Sequence, residues 1–559
     1  MPRMTGDQIA QHVKRAAFLK SERATFESHC QEIAELIYPE AAVFTGPAVE
    51  GQKMMRKIYD STGIHANHLL ASGLFSLLTS SANPWFLLMP ANGMEREVAE
   101  IMNVLYARSE IMYHEINKSS AGFSTAMHEN YLSYGAFGNF VLFIDEVLKK
   151  DSLRFQALPI QECYFVQNSE DKVDGLYRKY NRTVHQLVEK FGVDAQSTSV
   201  KQMYIDQKWD QVVECMHIIV PRENGDRNSF ASTDLPFMSA YIDLKEQHLI
   251  FESGYHEQPF MAPRFFKSAH EKYGRGPGHI TLPDLKMLMR VQQVVIRAAQ
   301  KATDPALLLP HEGFLKPLRT TPGGLNYYNK SRVNLKNDID VLPSGNPELG
   351  DQFADSLRNR IREAFYVDQL QLNQGPQMTA TEVIQRTEEK LRLMGPFLGR
   401  AQMEFLGPAV VRVHGLLERA GRFEGLEMPE GVGPIQIVYI SPIAKAQEQV
   451  QANGLMRAIS ILETVYKYNP ESMDILDTDD IARKVFTWFN APPSFLKDKK
   501  AIQKVRKDRA DAQAKKEQAE NLAKTGQGLA GLGQAADSEG LQKMVQSSAG
   551  GGEFGQFMQ

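Results

Sequence analysis

The sequence predicts a multidomain α+β protein in which helix predominates. Three observations carry that expectation. Apolar residues recur at helical spacing through the first 120 residues and again from about residue 280 onward. Between those regions, short β-rich runs alternate with turn residues. At 559 residues, with 43% apolar and 23% charged side chains, the chain is long enough for several packed units and has the balance of an ordinary globular protein.

The N-terminal region reads as three helices, Ile9 to Ile37, His65 to Leu78 and Val98 to Ile116, separated by Gly- and Pro-containing connectors. From Phe140 the runs FVLFID, SLRFQALPI and CYFVQ, followed by the polar turn NSED and KVDGLYRKY, predict a meander. Thr183 with Gln186 three residues on is a capping box, and Gly192 is a natural stop for a short helix between them. The strand-like VVECMHIIV, SAYIDL and HLIFES extend the α+β region to about residue 270.

Beyond GRGPG, the residues Leu282, Leu285, Met289, Val291, Val295 and Ala299 trace one apolar stripe. They predict a helix of about five to six turns that Asp304-Pro305 ends. A second pattern runs from Leu349 to Leu370, with Phe353, Leu357, Ile361 and Phe365 at four-residue steps. The two helices bracket a compact insert of mixed turn and strand. If they run antiparallel, the shape is a stalk with a knob at its end.

The stretch PQMTATEVIQRTEEKLRLMGP then opens another helix with unusual care. Thr379 and Glu382 form a capping box and Met378 with Val383 has the spacing of a hydrophobic staple, so the direction of the chain just before Thr379 is fixed. Gly395-Pro396 and Gly407-Pro408 are expected to bend or break the helical pattern that runs on to Leu417, because proline lacks a backbone donor. PIQIVYIS reads as a strand, Ala444 to Tyr468 and Asp477 to Asn490 as helices, and residues 497–520 are densely charged. The final 35 or so residues, rich in Gly, Ala, Ser and Gln, have little to bury.

Several chemistries find no support in the residues. A formal charge of −4 gives no net basic field. Cys30, Cys163 and Cys215 lie far apart without C-x-x-C spacing, which fits a reducing place of assembly. No apolar run is long enough to span a bilayer, which takes about 18 residues or more. There is no G-x-x-x-x-G-K-[ST] and no G-x-S-x-G. Gly274 to Gly278 precedes a helix, but Pro277 removes a donor and the spacing departs from a phosphate loop, so a turn leading into the helix is the simpler reading. His65 and His68 beside Asp60 supply two or three metal-capable groups without a further ligand at a convincing spacing. His217, inside an apolar strand, reads as a satisfied interior histidine. The basic stretch Lys497 to Lys516 can touch phosphates or form a solvated helix face. Tyr327 and Tyr328, beside Gly323-Gly324, suit either a stacking contact with a partner or the core of a hairpin. No catalytic constellation and no cofactor emerge.

Four stretches, DSTGIHANHLLASGLFSLLTSSANPWFLLMP (60–90), YGAFGNFVLFIDE (134–146), YGRGPGHITLPDLKML (273–288) and MTATEVIQRTEEKLRLMGPFLGRAQMEFLGP (378–408), together resemble the head-to-tail connecting, or portal, proteins of short-tailed bacteriophages. The resemblance spans roughly residues 5–510. It implies a ring of about twelve copies at one capsid vertex of the virion, assembled in the host cytoplasm. Double-stranded DNA would be packaged and ejected through its channel. The implied partners are the terminase large subunit, a tail adaptor and the capsid and scaffolding proteins, with no membrane.

The resemblance also implies a division into an N-terminal wing (1–280), a first stem helix (281–302), a clip (303–348) and a second stem helix (349–372). A tunnel loop (373–378), the wing's long bent helix and strand (379–445), crown helices (446–510) and a C-terminal tail (511–559) follow. The expected channel-facing residues are Asn373, Gln374, Gly375, Gln377 and Met378, and the expected motor or adaptor contacts in the clip are Arg319, Tyr327, Tyr328 and Lys330. Arg290 and Lys301 on the first stem helix face either the DNA or the neighbouring stem. A polar, uncharged loop lets a polyanion slide, whereas many phosphate contacts would hold it. The rival readings are a non-channel structural adaptor or internal virion protein, and a metal-dependent enzyme built on His65, His68 and Asp60.

Overall fold

The computed structural model describes residues 4–46, 51, 58–91, 99–147, 152–223, 225–226, 229, 231–303, 307–308, 327, 340–341, 347–370, 394–428, 433–440, 454–462, 481, 502–516 and 518. In chain order, the N-terminal part holds α1 (Gly6–Ile37), α2 (Thr62–Leu78), β1 (Phe86–Pro90), α3 (Ala99–Ile116) and α4 (Phe123–Phe137). Next come β2 (Val141–Val147), β3 (Ser152–Leu158), β4 (Cys163–Gln167), β5 (Val173–Thr183), α5 (Val184–Phe191), α6 (Thr198–Ile205), β6 (Val212–Pro221), β7 (Phe237–Asp243), β8 (His248–Tyr255) and β9 (Phe260–Met261). The remainder is α7 (Pro277–Thr303), β10 (Leu307–Leu308), β11 (Asp340–Val341), α8 (Pro347–Ala364), α9 (Val367–Leu370), helical residues 394–401, a π turn (Gln402–Leu406), α10 (Gly407–Arg419) and β12 (Ile435–Tyr439).

The predicted meander divides between two sheets: β2 and β3 join β9 in a three-stranded sheet, whereas β4 and β5 open a five-stranded antiparallel sheet in the order β4-β5-β6-β7-β8, with α5 and α6 inserted between β5 and β6. Alternation along its strands sends Met216 and Ile218 to the face covered by Ile9 and Leu19 of α1, and Cys215 to the face covered by Val184, Leu187 and Val200. The Thr183–Gln186 capping box forms as the sequence predicts. A second one, Thr5 with Gln8, opens α1 and was not anticipated. The main core gathers α1, α2, α4, the small sheet β3-β2-β9 and α10 around side chains such as Leu70, Tyr134, Phe137, Phe140 and Phe405.

Helix α4 was not foreseen from the sequence. Its ends are set by Gly122 and Gly138, both left-handed with φ 69° and 70°. The turn that leads into α7 packs on the second of these. A Cβ on Gly138 would lie 2.3 Å from the Gly276 amide nitrogen, and one on Gly278 would lie 2.3 Å from the Ala136 carbonyl oxygen. Asn139 clamps the same turn, donating to the Gly274 carbonyl at 2.9 Å and accepting from its amide at 2.8 Å. The glycines of GRGPG thus permit backbone-to-backbone contact.

At Gly407-Pro408, where the sequence predicts a bend or a break, the helix continues through an irregular turn. Backbone dihedrals stay right-handed helical at Ala401, Leu406 and Gly407, and the π turn Gln402–Leu406 absorbs the proline. Widening that turn relieves the clash of the ring with the carbonyl four residues earlier. On α8 the buried column is Ala354, Leu357, Ile361 and Phe365, while Phe353 is 46% exposed. Likewise only the first half of the α7 stripe is buried, with Val295 half-buried and Ala299 exposed. These departures occur where both helices project beyond the core.

Candidate functional site

Helices α7 and α8 lie side by side and antiparallel. Arg360 pairs with Asp284 at 3.1 Å, and a Cβ on Gly350 would meet Val295 Cγ2 at 2.5 Å. Helix α7 ends at Thr303, immediately before Asp304-Pro305 as predicted. Four residues later Leu307 pairs with Val341 and Leu308 with Asp340, so the strands at the two edges of the insert form one short antiparallel ladder.

The base of the pair is fastened to the body by ion pairs. Arg358 Nε donates to Asp60 Oδ2 at 2.8 Å, and Arg358 Nη1 donates to Asp355 at 2.6 Å. Lys286 of α7 reaches Glu32 of α1 at 2.6 Å. Burial alone would raise the Asp60 carboxyl, but hydrogen bonds from Thr62 and Arg358 outweigh it and hold the group below its ordinary value. Around this clamp, Tyr59, His65, Arg362 and Asp368 help to line a cleft of about 750 Å³.

After α8, Tyr366 adopts a left-handed φ of 56° and turns the chain into the single helical turn of α9. Leu370, its last residue, sits against Gly73 of α2, where a Cβ would come within 2.7 Å of Leu370 Cδ2. On the far side of residues 371–393, Met394 is fully buried, Phe397 stacks on Phe265 at 4.3 Å, and the Tyr366 ring lies 5.3 Å from Phe397. The described residues on either side of 371–393 therefore pack beside the same aromatic group.

Asn373, Gln374, Gly375, Gln377 and Met378, together with the Thr379–Glu382 capping box, fall outside the described residues, as do Arg319, Tyr328 and Lys330. Tyr327 is described and is 60% exposed. Arg290 and Lys301 are exposed on α7. The Asp60–Arg358 clamp and the Gly73 notch are new. Gly73 inside an otherwise apolar helix was the available signal, since a mid-helix glycine costs stability unless a neighbour needs the space.

The metal reading is not supported by the geometry. No group of three or more His, Cys, Asp or Glu able to hold a metal occurs among the described residues, and Asp60 is engaged by Thr62 and Arg358. His217 is interior, bonded to Ser239 at 2.9 Å and stacked on Tyr241 at 4.0 Å, and burial pushes it well below the usual histidine range. The three cysteines are buried and free. No described helix is long and apolar enough to cross a membrane. Residues 502–516 form an exposed helix.

The described residues form an α+β body bearing an antiparallel helix pair. Residues 10–496 match the family described as bacteriophage head to tail connecting protein, and the chain belongs to that family. It is 29% identical over 508 residues to the portal protein of Salmonella phage epsilon15, covering 89% of this chain and 90% of that one. It is 29% identical over 534 residues to the probable portal protein of Bordetella phage BPP-1, covering 93% and 94%. A chain from the virion of a native gene transfer agent particle aligns over 77% of this chain and 94% of its own, at 12% identity and a TM-score of 0.33, too low to bear on the fold.

Proposed function

We propose that this chain is a portal subunit, which assembles about twelve-fold into a ring at one capsid vertex and passes double-stranded DNA during packaging and ejection. Helices α7 and α8 form the stem, residues 303–348 the clip and residues 373–378 the tunnel loop. The clip docks the terminase large subunit and later a tail adaptor, and the body contacts capsid and scaffolding proteins. The subunit has no catalysis of its own, and a separate ATPase supplies the packaging energy.

The observation that carries the reading is the way the segment holding the loop is tethered. Leu370 in the Gly73 notch and Met394 in the core fix both ends beside Tyr366 and Phe397. A loop repeated around a ring must project equally in every copy, and fixed flanking residues favour that. The full-length resemblance to proteins named as portals adds weight.

Negative-stain microscopy of the purified chain tests the proposal. Annular particles with a central hole are expected, and compact particles without one would favour a non-channel adaptor. Replacing residues 373–377 with a rigid acidic segment should leave rings intact but impair packaging. Normal packaging by such rings would refute the tunnel-loop assignment.

A further inference from the structure

Outward of Arg358 and Arg362 at its base, the helix pair carries opposite charge on its two outer edges. With Asp284 and Val295 of α7 turned toward α8, a rotation of about 100° per residue puts Arg290 and Arg297 about 120° to 160° round the helix, away from the partner. Lys301 continues that column, and all three are exposed. On α8, where Arg360 and Gly350 face α7, the same geometry puts Glu348 and Asp355 on the far side, with Asp351 between them in sequence and likewise exposed.

The levels also match. From the Asp284–Arg360 pair, six residues outward along each helix bring Arg290 level with Ala354, next to Asp355. From the Val295–Gly350 contact, two residues outward bring Arg297 level with Glu348. Rotation about an axis running along the hairpin preserves height. The basic edge of one copy therefore meets the acidic edge of the next at the same levels, with no slide along the axis.

We infer that, within the ring proposed above, the Arg290–Arg297–Lys301 edge of one subunit docks on the Glu348–Asp351–Asp355 edge of its neighbour, Arg290 beside Asp355 and Arg297 beside Glu348. Such a contact is heterologous, joining two different surfaces head to tail, and it is the kind that closes into a ring. Met287 and Val294, 47% and 64% exposed, run beside the basic column at the same seven-residue spacing and supply apolar area to the seam. Asp355 can take a second cation without dismantling the base of the stem, because its present partner Arg358 also holds Asp60. The assignment turns Arg290 and Lys301 sideways, away from the path of DNA, which leaves fewer phosphate contacts to impede its movement.

The test is a charge swap in the full chain, read by ring yield across protein concentration. Arg290→Asp alone should raise the concentration for half-assembly roughly fivefold or more, Asp355→Arg alone should do the same, and the double variant should recover most of the loss. A short bismaleimide should also link Arg290→Cys with Asp355→Cys into ladders of subunits, but not the off-level pair Arg297→Cys with Asp355→Cys. A thiol-to-thiol linker suits the site because an Arg–Asp pair spans more than a disulfide can bridge, and the native cysteines are buried. Rings that ignore the swap and give no ladder would overturn the docking while leaving the portal reading intact. An unsubstituted chain that never forms rings would sink both.

Discussion

Arg358 on α8 holds Asp60, the residue two positions before α2, at 2.8 Å, and the Asp60 side chain is only 7% exposed. The contact joins positions 298 residues apart and ties a projecting helix to the core. Replacing Asp60 with Ala should cost about 1–3 kcal/mol, because a partly buried guanidinium loses one of its two carboxylate partners. Its pH dependence follows from the direction of the shift. A carboxyl held below its usual 3.8 contributes stability above that pH and loses it as the pH falls through the lowered value. The stability gap between the native chain and Asp60→Asn, measured by urea unfolding, should be flat from about pH 5 to 8 and close in acid.

Glu404, in the π turn, receives Arg264 at both carboxylate oxygens, 2.7 and 3.3 Å, and also the Arg264 amide at 2.9 Å. Arg264 is 3% exposed, so Glu404→Ala should destabilise by about 3–5 kcal/mol. A denaturant midpoint unmoved from that of the native chain would show that the π turn does not act through this pair.

Gly138→Ala should fail for two reasons, a φ of 70° and the Gly276 backbone 2.3 Å from the new methyl. Strain and overpacking together predict a loss of about 2–4 kcal/mol. Gly399→Ala is the control. It lies in the helical residues 394–401 with nothing within 4 Å of its Cβ position, and should stabilise by about 0.5–1 kcal/mol. Melting temperatures that move in the opposite order would contradict this account.

His279 is buried in the first turn of α7, and burial, helped by His29 and Arg275, depresses it from 6.5 to about 3. An imidazole that stays neutral when folded but charges when unfolded contributes stability that is present above 6.5 and lost as the pH falls toward 3. The loss is at most about 1.4 kcal/mol per pH unit. His279→Gln should flatten the stability–pH curve by about one proton between pH 6 and 4. Equal slopes in the two proteins would assign the acid loss elsewhere.

Much of the local architecture was legible in the sequence. The capping box at Thr183 and Gln186, the end of α7 before Asp304-Pro305 and the strands of the meander depend on neighbours within a few residues, and each formed where the pattern placed it. Helix α4 escaped notice because its buried face includes Asn130, Tyr131 and Tyr134, whose polarity blurs the apolar stripe. The run FLLMP gave no sign of its role as β1, since its partner β12 lies some 350 residues away.

The sequence by itself determined most of the helices and strands, the absence of a nucleotide-loop motif and the family resemblance, because these depend on local dihedral preference, periodicity and short ordered motifs. The tertiary structure decided that α7 and α8 lie side by side, that Asp60 pairs with Arg358, and that glycines 138 and 276 exist for each other. Those pairings join distant parts of the chain, and their energy appears only when folding has brought the two surfaces together.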